Sequence, residues 1–345
     1  MKSILTDSVC SLLKSKGMVR EPGMKRFGLI GAAGYVAPRH MKAIRDSGNV
    51  LVAAMDPSDS VGIIDSYFPD ADFFVEFERF DRHVDLLRRR GEALDYVSIC
   101  SPNYLHDSHI RFALRSRADA ICEKPVVLNP RNLDALREIE RESDRRVWTI
   151  LQLRLHPAVV ALREKVRSGR QDKKFDVDLT YVTSRGHWYH YSWKGDEKKS
   201  GGISTNIGVH FYDMLYYVFG DLRESVLHFS DPSTAAGYLE YEHARVRWLL
   251  SVDQSRLPAA AITSGQRTYR SITVDGEELE FSGGFDDLHT RSYEEILSGR
   301  GFGIDENVAA IETVAEIRRM KPVGRRGDEH PLLTRVARSV ASGRS

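Results

Sequence analysis

The stretch Phe27-Gly28-Leu29-Ile30-Gly31-Ala32-Ala33-Gly34-Tyr35-Val36 decides the fold, because a short apolar strand runs directly into a glycine-rich turn. A helix is expected to begin after this turn, at about Pro38. Small residues between a strand and a helix let a pyrophosphate approach the backbone N–H groups at the start of the helix. The pattern departs from G-x-G-x-x-G, since Ala33 occupies the second glycine position or the turn is one residue longer. Taken alone, a tight loop without a ligand explains the stretch equally well.

The end of the second predicted strand carries an acidic residue that favours a bound cofactor. This strand covers Val50–Met55, and Asp56 follows 25 residues after Gly31. A carboxylate there can accept hydrogen bonds from the adenosine ribose hydroxyls of NAD. An Asp at a strand end is often only a turn former or a helix cap, but the two features in this order favour a dinucleotide site. The NAD-binding residues expected from both features are Gly31, Ala32, Ala33, Gly34, Tyr35, Val36 and Asp56.

The pattern of apolar residues divides the rest of the chain into two domains. As far as residue 150, short apolar strands alternate with helical stretches, which predicts βαβ units and a parallel sheet. Beyond it, polar and apolar residues alternate along the strands, as in an antiparallel sheet with one solvated face. We therefore expect an α/β protein with a Rossmann domain at 24–150, an α+β domain at 151–345 and a dispensable extension at 1–23. The predicted strands are Tyr96–Cys100, Asp119–Cys122, Arg145–Leu151, Phe175–Ser184, Ala235–Asp253 and Tyr269–Phe281, and the predicted helices include Pro157–Ser168, Gly208–Phe219 and Val308–Met320.

Bulk composition excludes several classes of protein. Of the 345 residues, 41% are hydrophobic and 29% are charged, as in a globular protein that is too long for a single core. The 50 basic and 49 acidic side chains nearly cancel, so neither nucleic acid nor a membrane surface is expected as a partner. Three scattered cysteines predict neither disulfides nor a metal site. Because no apolar run could span a bilayer and Asp7 interrupts any signal peptide, the predicted location is the cytoplasm.

Two further motifs follow buried strands, at the edge of the sheet where ligands bind in such folds. One is Ser101-Pro102-Asn103-Tyr104-Leu105-His106, and the other is Glu123-Lys124-Pro125. The first motif can also be a Ser-Pro turn with Asn103 as a helix N-cap. Burial beside a positively charged nicotinamide would lower the pKa of Lys124 and suit it to proton transfer. The alternative is a surface lysine whose stem packs against the protein.

A glycine-rich segment of the second domain carries the remaining candidate polar residues. It runs Gly201-Gly202-Ile203-Ser204-Thr205-Asn206-Ile207-Gly208-Val209-His210-Phe211-Tyr212-Asp213. If the segment is helical, Asn206, His210 and Asp213 are spaced to share one face. No His-Glu-x-x-His motif or cysteine pair accompanies them, so no metal is expected.

These motifs stand in the order found in the glucose-fructose oxidoreductase, inositol dehydrogenase and MocA (Gfo/Idh/MocA) family, which the chain resembles from Met24 onward. The resemblance rests on the glycine turn, Ser-Pro-Asn-x-x-His, Glu-Lys-Pro and Gly-x-His-x-x-Asp. It implies a Rossmann domain joined to an α/β domain with a large, mostly antiparallel sheet. It also implies oxidation of a sugar or polyol hydroxyl with NAD or NADP, and sheets that pack together into homodimers or homotetramers.

Residues 31–40, 200–210 and 287–297 resemble one group within that family, the UDP-N-acetyl-2-amino-2-deoxyglucuronate dehydrogenases. This likeness implies oxidation of the 3-hydroxyl of a UDP-linked N-acetylglucosaminuronic acid, on the way to bacterial surface polysaccharide such as lipopolysaccharide O-antigen. Some members of the group hold NAD tightly and regenerate it with 2-oxoglutarate.

The resemblance also implies roles for individual residues. Lys124 and His210 are expected to share the acid–base work at the sugar hydroxyl. Many members of the family have Asp four residues before the histidine, whereas this chain has Asn206, which cannot exchange protons and is left to orient its neighbours. Further cofactor contacts are expected from Ser101, Pro102, Asn103, His106, Glu123 and Lys124. Expected substrate contacts are Lys124, Arg154, Lys199, Ser200, Thr205, Asn206 and His210, and the aromatic run from His187 to Trp193 either walls the pocket or packs in the core.

Two alternatives stay open at this stage. One is a dehydrogenase of the same family that acts on another sugar or on inositol. The other is a non-catalytic sensor of NAD or of a sugar, and the presence of both Lys124 and His210 argues against it.

Overall fold

The computed structural model describes residues 23–169, 173–279 and 287–333. The first domain is built on six strands: β1 Arg26–Ile30, β2 Val50–Met55, β3 Asp72–Phe74, β4 Tyr96–Ile99, β5 Asp119–Cys122 and β6 Val147–Thr149. They pair in parallel in the order β3-β2-β1-β4-β5-β6. The order reverses between β1 and β4, so the carboxyl ends of these two strands open a crevice where ligands bind in doubly wound sheets.

Helices cover both faces of this sheet because its strands are apolar on both sides. Along β1, Phe27 and Leu29 belong to one core cluster and Ile30 belongs to the other. Such double burial explains why the strands are continuous apolar runs rather than alternating ones. The covering helices are α1 Ala37–Asp46, α2 Phe77–Arg89, α3 His106–Arg115 and α4 Arg131–Ser143.

The second domain contains the other six strands: β7 Phe175–Thr183, β8 Leu222–Ser230, β9 Thr234–Tyr241, β10 Ala244–Ser251, β11 Thr268–Val274 and β12 Glu277–Glu278. Their order is β12-β11-β7-β10-β9-β8, and every pair is antiparallel except β7 with β10. The helices that follow the first domain are α5 Pro157–Ser168, α6 Trp188–Tyr191, α7 Glu197–Ser200, α8 Gly202–Asn206, α9 Val209–Phe219, α10 Ala259–Thr263, α11 Leu288–Leu297 and α12 Val308–Ile317. Single 3-10 turns lie at Gly62–Ser66, Asn103–Leu105, Gln152–Leu155, Gln254–Arg256 and Asp305–Asn307.

The predicted architecture is confirmed, with a parallel Rossmann sheet followed by a mostly antiparallel one. The sequence pattern did not predict β8, because this edge strand buries only Leu227 and His228 and shows no regular alternation. Residues 1–22, and the last two residues of the strand predicted at 269–281, lie outside the described residues. No helix within the described ranges is long and apolar enough to cross a membrane.

The helix α11 returns from the carboxyl-terminal part of the chain to pack on the first domain. Its Tyr293 ring stacks on Phe27 of β1 at a centroid distance of 5.8 Å. The hydroxyl of Tyr293 lies 2.8 Å from Nδ1 of His40 in α1. The first domain is therefore completed by a helix far along the sequence, and this helix also delivers His289 to the sheet edge.

Candidate active site

The glycine turn after β1 has the shape of a cradle that admits no side chain. Gly31 has φ +91°, and a Cβ there would lie 2.6 Å from the carbonyl carbon of Cys100 and 2.7 Å from the nitrogen of Ser101. A side chain at Gly34 would meet the carbonyl oxygen of Gly31 at 3.0 Å. The turn therefore fits a pyrophosphate that approaches backbone N–H groups at the start of α1, as the sequence predicts.

The alanines of the turn and the following residues complete this cradle. Ala32 is fully buried, whereas Tyr35 is 82% exposed and lies beneath the guanidinium of Arg39, 5.5 Å from the ring centroid. Val36 precedes the first residue of α1. The turn thus combines a buried alanine, Ala32, with an exposed aromatic side chain, Tyr35.

Asp56 lies at the carboxyl end of β2 and braces the glycine turn. One carboxylate oxygen accepts a hydrogen bond from the N–H of Ala33 at 3.0 Å, and the other accepts from the N–H of Ser58 at 2.9 Å. A carboxylate has about four acceptor positions. The structural interpretation and the ribose-binding interpretation of Asp56 are therefore compatible.

His106 joins two loops instead of facing the crevice. Its ring is buried, with Nδ1 2.7 Å from the carbonyl oxygen of Pro125 and Nε2 2.8 Å from the carbonyl oxygen of Ser101. Burial lowers the pKa of His106, although both carbonyl contacts oppose this shift. Both ring nitrogens thus face the loops that follow β4 and β5, and the contact of His106 with the cofactor stays a prediction.

Glu123 lies at the centre of a buried polar network. Its Oε1 accepts hydrogen bonds from Nε2 of His40 and from Nε2 of His289, each at 3.0 Å. The second nitrogen of His40 lies 2.8 Å from the hydroxyl of Tyr293, which lies 2.6 Å from Oγ of Ser98. Burial opposes ionisation of the carboxyl group, but the hydrogen bonds from His289 and His40 hold the pKa of Glu123 well below its usual range.

The network occupies one oxygen of the Glu123 carboxylate, and the expected contact of Glu123 with the cofactor stays a prediction. The ligand atoms of His40, Glu123 and His289 lie within 4.8 Å of one another, close enough for a metal ion. The hydrogen bonds already use these atoms, and two imidazole N–H donors satisfy the carboxylate oxygen without a metal ion. The cluster therefore fixes Glu123, the residue directly before Lys124. Local sequence patterns do not reveal it, because its members are far apart in the sequence.

Asn206 is the junction between the two domains at the crevice. Its backbone oxygen accepts a hydrogen bond from Nζ of Lys124 at 3.4 Å, and its side-chain oxygen accepts from the amide of Asn103 at 3.3 Å. Its own amide donates to the hydroxyl of Tyr189 at 3.4 Å. Asn103 also donates to the carbonyl oxygen of Ser200 at 2.9 Å. The predicted orienting role of Asn206 fits this arrangement.

Lys124 and His210 both occupy environments that favour their neutral forms. Burial lowers the pKa of Lys124, and the charge of Lys194 adds to this, while the carboxylate of Glu123 opposes it. Burial, followed by the charge of Lys124, holds the pKa of His210 well below its usual range. The ring of His210 forms no hydrogen bond to any residue in the described part of the chain. The pair can therefore accept and share a proton with a bound hydroxyl.

The helix predicted at Gly208–Phe219 is present as α9, but Asn206 precedes it in a separate short helix, so the condition for Asn206 and His210 to share one helical face is not met. The helix α8 ends at Asn206 and α9 begins at Val209. Between them, a Cβ at Gly208 would lie 2.2 Å from the carbonyl oxygen of Ser204 and 2.7 Å from the ring of Tyr212. The glycine permits this close junction, which gives Asn206 and His210 independent orientations.

Arg154 is held in a buried ion pair, and its predicted contact with substrate stays a prediction. Its guanidinium donates to both carboxylate oxygens of Asp213, with the shortest bond at 2.7 Å, and to the carbonyl oxygen of Glu306 at 2.9 Å. Both side chains of the ion pair are buried. The third member of the predicted helical face, Asp213, therefore points into the protein and not toward Lys124.

The other predicted substrate contacts divide into exposed and buried residues. Lys199 is exposed, 3.8 Å from the carboxylate of Asp196. Ser200 is fully buried, and its hydroxyl accepts a hydrogen bond from the N–H of Gly202. Thr205 is also fully buried, and within the described ranges its hydroxyl has no hydrogen-bond partner. Of these three side chains, Lys199 is the one that is exposed and could contact a ligand without a rearrangement of the protein.

A glycine cradle at the switch point of a parallel sheet, together with a lysine and a histidine at the same edge, defines a two-domain, dinucleotide-dependent oxidoreductase. The sequence matches the "Oxidoreductase family, NAD-binding Rossmann fold" over residues 25–151 and the "Oxidoreductase family, C-terminal alpha/beta domain" over residues 172–264. The chain belongs to this Gfo/Idh/MocA oxidoreductase family, and its first domain is an NAD-binding Rossmann domain.

Two solved structures of the WlbA (WbpB) dehydrogenase from Thermus thermophilus are 52% and 51% identical to this chain. Each comparison covers 89% of this chain and 99% of that chain, with a TM-score of 0.86. One structure contains NAD and alpha-ketoglutarate, and the other contains NAD and UDP-GlcNAcA. Inositol 2-dehydrogenase of Rhizobium meliloti is 28% identical over 209 residues, or 58% of this chain and 57% of that protein. The chain spans about half the length of the curated relatives that it matches.

Proposed function

We propose that this protein oxidises the sugar 3-hydroxyl of UDP-N-acetylglucosaminuronic acid (UDP-GlcNAcA) to the 3-keto sugar with NAD. The proposal is carried by the likeness, over 89% of the chain, to a dehydrogenase whose structure contains NAD and UDP-GlcNAcA. It is supported by Lys124 and His210, which lie at the sheet edge with lowered pKa values. The product would enter the synthesis of bacterial surface polysaccharide, in the cytoplasm, and the working form would be a homodimer or homotetramer.

The residues present fit NAD and divide the chemistry between them. The turn at Gly31 holds the pyrophosphate, and Asp56 accepts bonds from the ribose hydroxyls. When bound, the nicotinamide supplies the acceptor for the hydride that leaves C3 of the sugar. Lys124, in its neutral form, takes the proton of the 3-hydroxyl as the carbonyl forms. His210 bonds the same oxygen, and Asn206 holds the amine of Lys124 through its backbone oxygen.

The decisive experiment follows absorbance at the reduced-nicotinamide band after UDP-GlcNAcA is added to the NAD-loaded protein. We expect reduction of the bound NAD. UDP-N-acetylglucosamine should react more slowly by about 100-fold or more, because without the carboxylate the desolvated donor groups of the site stay unpaired. The variant Lys124→Met keeps most of the side-chain volume and should lose at least about 100-fold in turnover while it still binds NAD.

Other outcomes distinguish the alternatives. Faster reduction of NAD with free inositol or glucose would agree with the family assignment but would rule out UDP-GlcNAcA as the substrate. NAD binding without reduction by any of these sugars would favour a sensor. Addition of 2-oxoglutarate to the reduced protein should restore the oxidised band if it is the reoxidant, and persistence of the reduced band would remove it from the proposal.

A further inference from the structure

Lys194 lies among aromatic rings at the end of the segment that follows α6. Its Nζ lies 4.8 Å from the ring centroid of Trp193 and 5.6 Å from that of Trp188. The side chain is half-buried. Indole faces stabilise an ammonium charge, and they do so without occupying its three N–H donors. The three N–H donors therefore remain available to a ligand, and a bound anion would offset the burial that, together with the charge of Arg185, lowers the pKa of Lys194.

No carboxylate neutralises this lysine within the described parts of the chain. Its ammonium group forms no ion pair or hydrogen bond to any described residue, and the charged side chain that most affects it is another cation, Arg185, which is itself exposed. Lys194 in turn acts on Lys124, whose pKa its charge helps to lower. The nearby carboxylate of Glu123 is already bound by two histidines. A half-buried cation beside another cation, Arg185, is costly unless an anion joins them.

The backbone fixes this lysine next to the catalytic residues. A Cβ at Gly195 would lie 2.5 Å from Cα of His190, so the chain turns back closely on α6 immediately after Lys194. Within α6, the hydroxyl of Tyr189 accepts a hydrogen bond from Asn206, whose backbone oxygen in turn accepts from Lys124. The lysine is therefore held by the same framework that positions the proton acceptor.

We propose that Lys194, assisted by Arg185, binds the carboxylate of the sugar acid, an inference that rests on the proposed function. In that substrate the carboxylate is attached to the same pyranose ring as the reacting 3-hydroxyl. Lys194 follows directly on the turn that is joined to Lys124 through Tyr189 and Asn206, and it is therefore placed to receive this carboxylate.

The test compares two ligands that differ only in this carboxylate. Binding of UDP-GlcNAcA and of UDP-N-acetylglucosamine to the NAD-loaded protein is measured by calorimetry for the unaltered chain and for Lys194→Met. We expect about a 10- to 100-fold weaker affinity for the acid, because a charge-assisted hydrogen bond is lost, and little change for the neutral sugar. The variant Lys194→Arg should retain most of the affinity. The matched control is Lys198→Met, because Lys198 is an exposed lysine four residues away. This variant should change neither the affinity for the acid nor that for the neutral sugar.

Each other result removes the inference. An unchanged affinity of Lys194→Met for the acid would show that the carboxylate binds elsewhere. An equal loss of affinity for both ligands would mean that Lys194 contacts the diphosphate or only stabilises the fold. Failure of Lys194→Arg to restore binding of the acid would exclude a charge contact. If the unaltered protein binds neither sugar nucleotide, the proposed function itself fails, and this result is distinct from the others.

Discussion

At the scale of single residues, the charge of the Glu123 carboxylate raises the pKa of Lys124 without a contact to the substrate. Burial lowers the pKa of Lys124, and the charge of Glu123 opposes this shift. Only the neutral amine accepts a proton, so kcat/KM should rise with pH as Lys124 loses its proton. The variant Glu123→Gln keeps an oxygen that accepts from His40 and His289 but removes the charge. The pKa of Lys124 should then fall further, and the rising limb of the pH profile should move to lower pH.

The measurement is the pH dependence of kcat/KM for UDP-GlcNAcA, with the exposed Glu78→Gln as control. A merely structural role of Glu123 would reduce activity at every pH and leave the limb where it is. A limb that stays in place, or moves to higher pH, would contradict the assignment.

Asp56 gives a second prediction at this scale, since its carboxylate is proposed to bind the adenosine ribose. The unaltered protein should bind NAD at least about 10-fold more tightly than NADP, because a 2′-phosphate would meet a like charge. Asp56→Asn keeps an acceptor for the N–H of Ala33 and removes the repulsion, so the ratio of the two dissociation constants should narrow. A preference of the unaltered protein for NADP would show that the ribose lies elsewhere.

At the scale of secondary-structure elements, the junction of α8 and α9 decides how the site is assembled. Gly208 has φ −67° and ψ −32°, values that alanine also adopts, so any effect of Gly208→Ala comes from contact alone. The new Cβ would overlap the carbonyl oxygen of Ser204 and the ring of Tyr212. We expect a loss of about 1–3 kcal/mol in the free energy of unfolding, together with reduced turnover as His210 shifts.

Gly62→Ala is the matched control for this change, because a Cβ at Gly62 would meet nothing within 4 Å. Thermal unfolding and turnover are measured for both variants. Equal behaviour of the two would show that the junction tolerates a side chain and that the break between the helices has another cause.

At the scale of the whole molecule, the sequence predicts what is encoded locally and misses what depends on distant partners. The glycine turn, the alternating strands and Lys124 at a strand end are local patterns, and they predict the fold and the position of the site. Glu123 and His289 are 166 residues apart, and only the return of α11 to the first domain brings them together. Lys194 belongs to no sequence motif, and its proposed role emerges only from the structure, in which no carboxylate of the described residues forms an ion pair with it.

The ion pair of Arg154 and Asp213 provides the last prediction, because it joins the turn after the first domain to α9 of the second. Loss of Arg154 would leave a buried carboxylate without its partner, so Arg154→Met should lower the free energy of unfolding by about 3–5 kcal/mol. Adding Asp213→Asn should recover part of this loss, since the remaining buried group is then neutral. Replacement of the exposed Arg300 by Met, which also breaks an ion pair, should leave the free energy of unfolding nearly unchanged. Denaturant unfolding measures these differences, and calorimetry measures the affinity of the folded fraction for UDP-GlcNAcA. A stable Arg154→Met protein with weakened affinity for the acid would return Arg154 to the substrate site, because the cost of its loss would then arise only when the ligand binds.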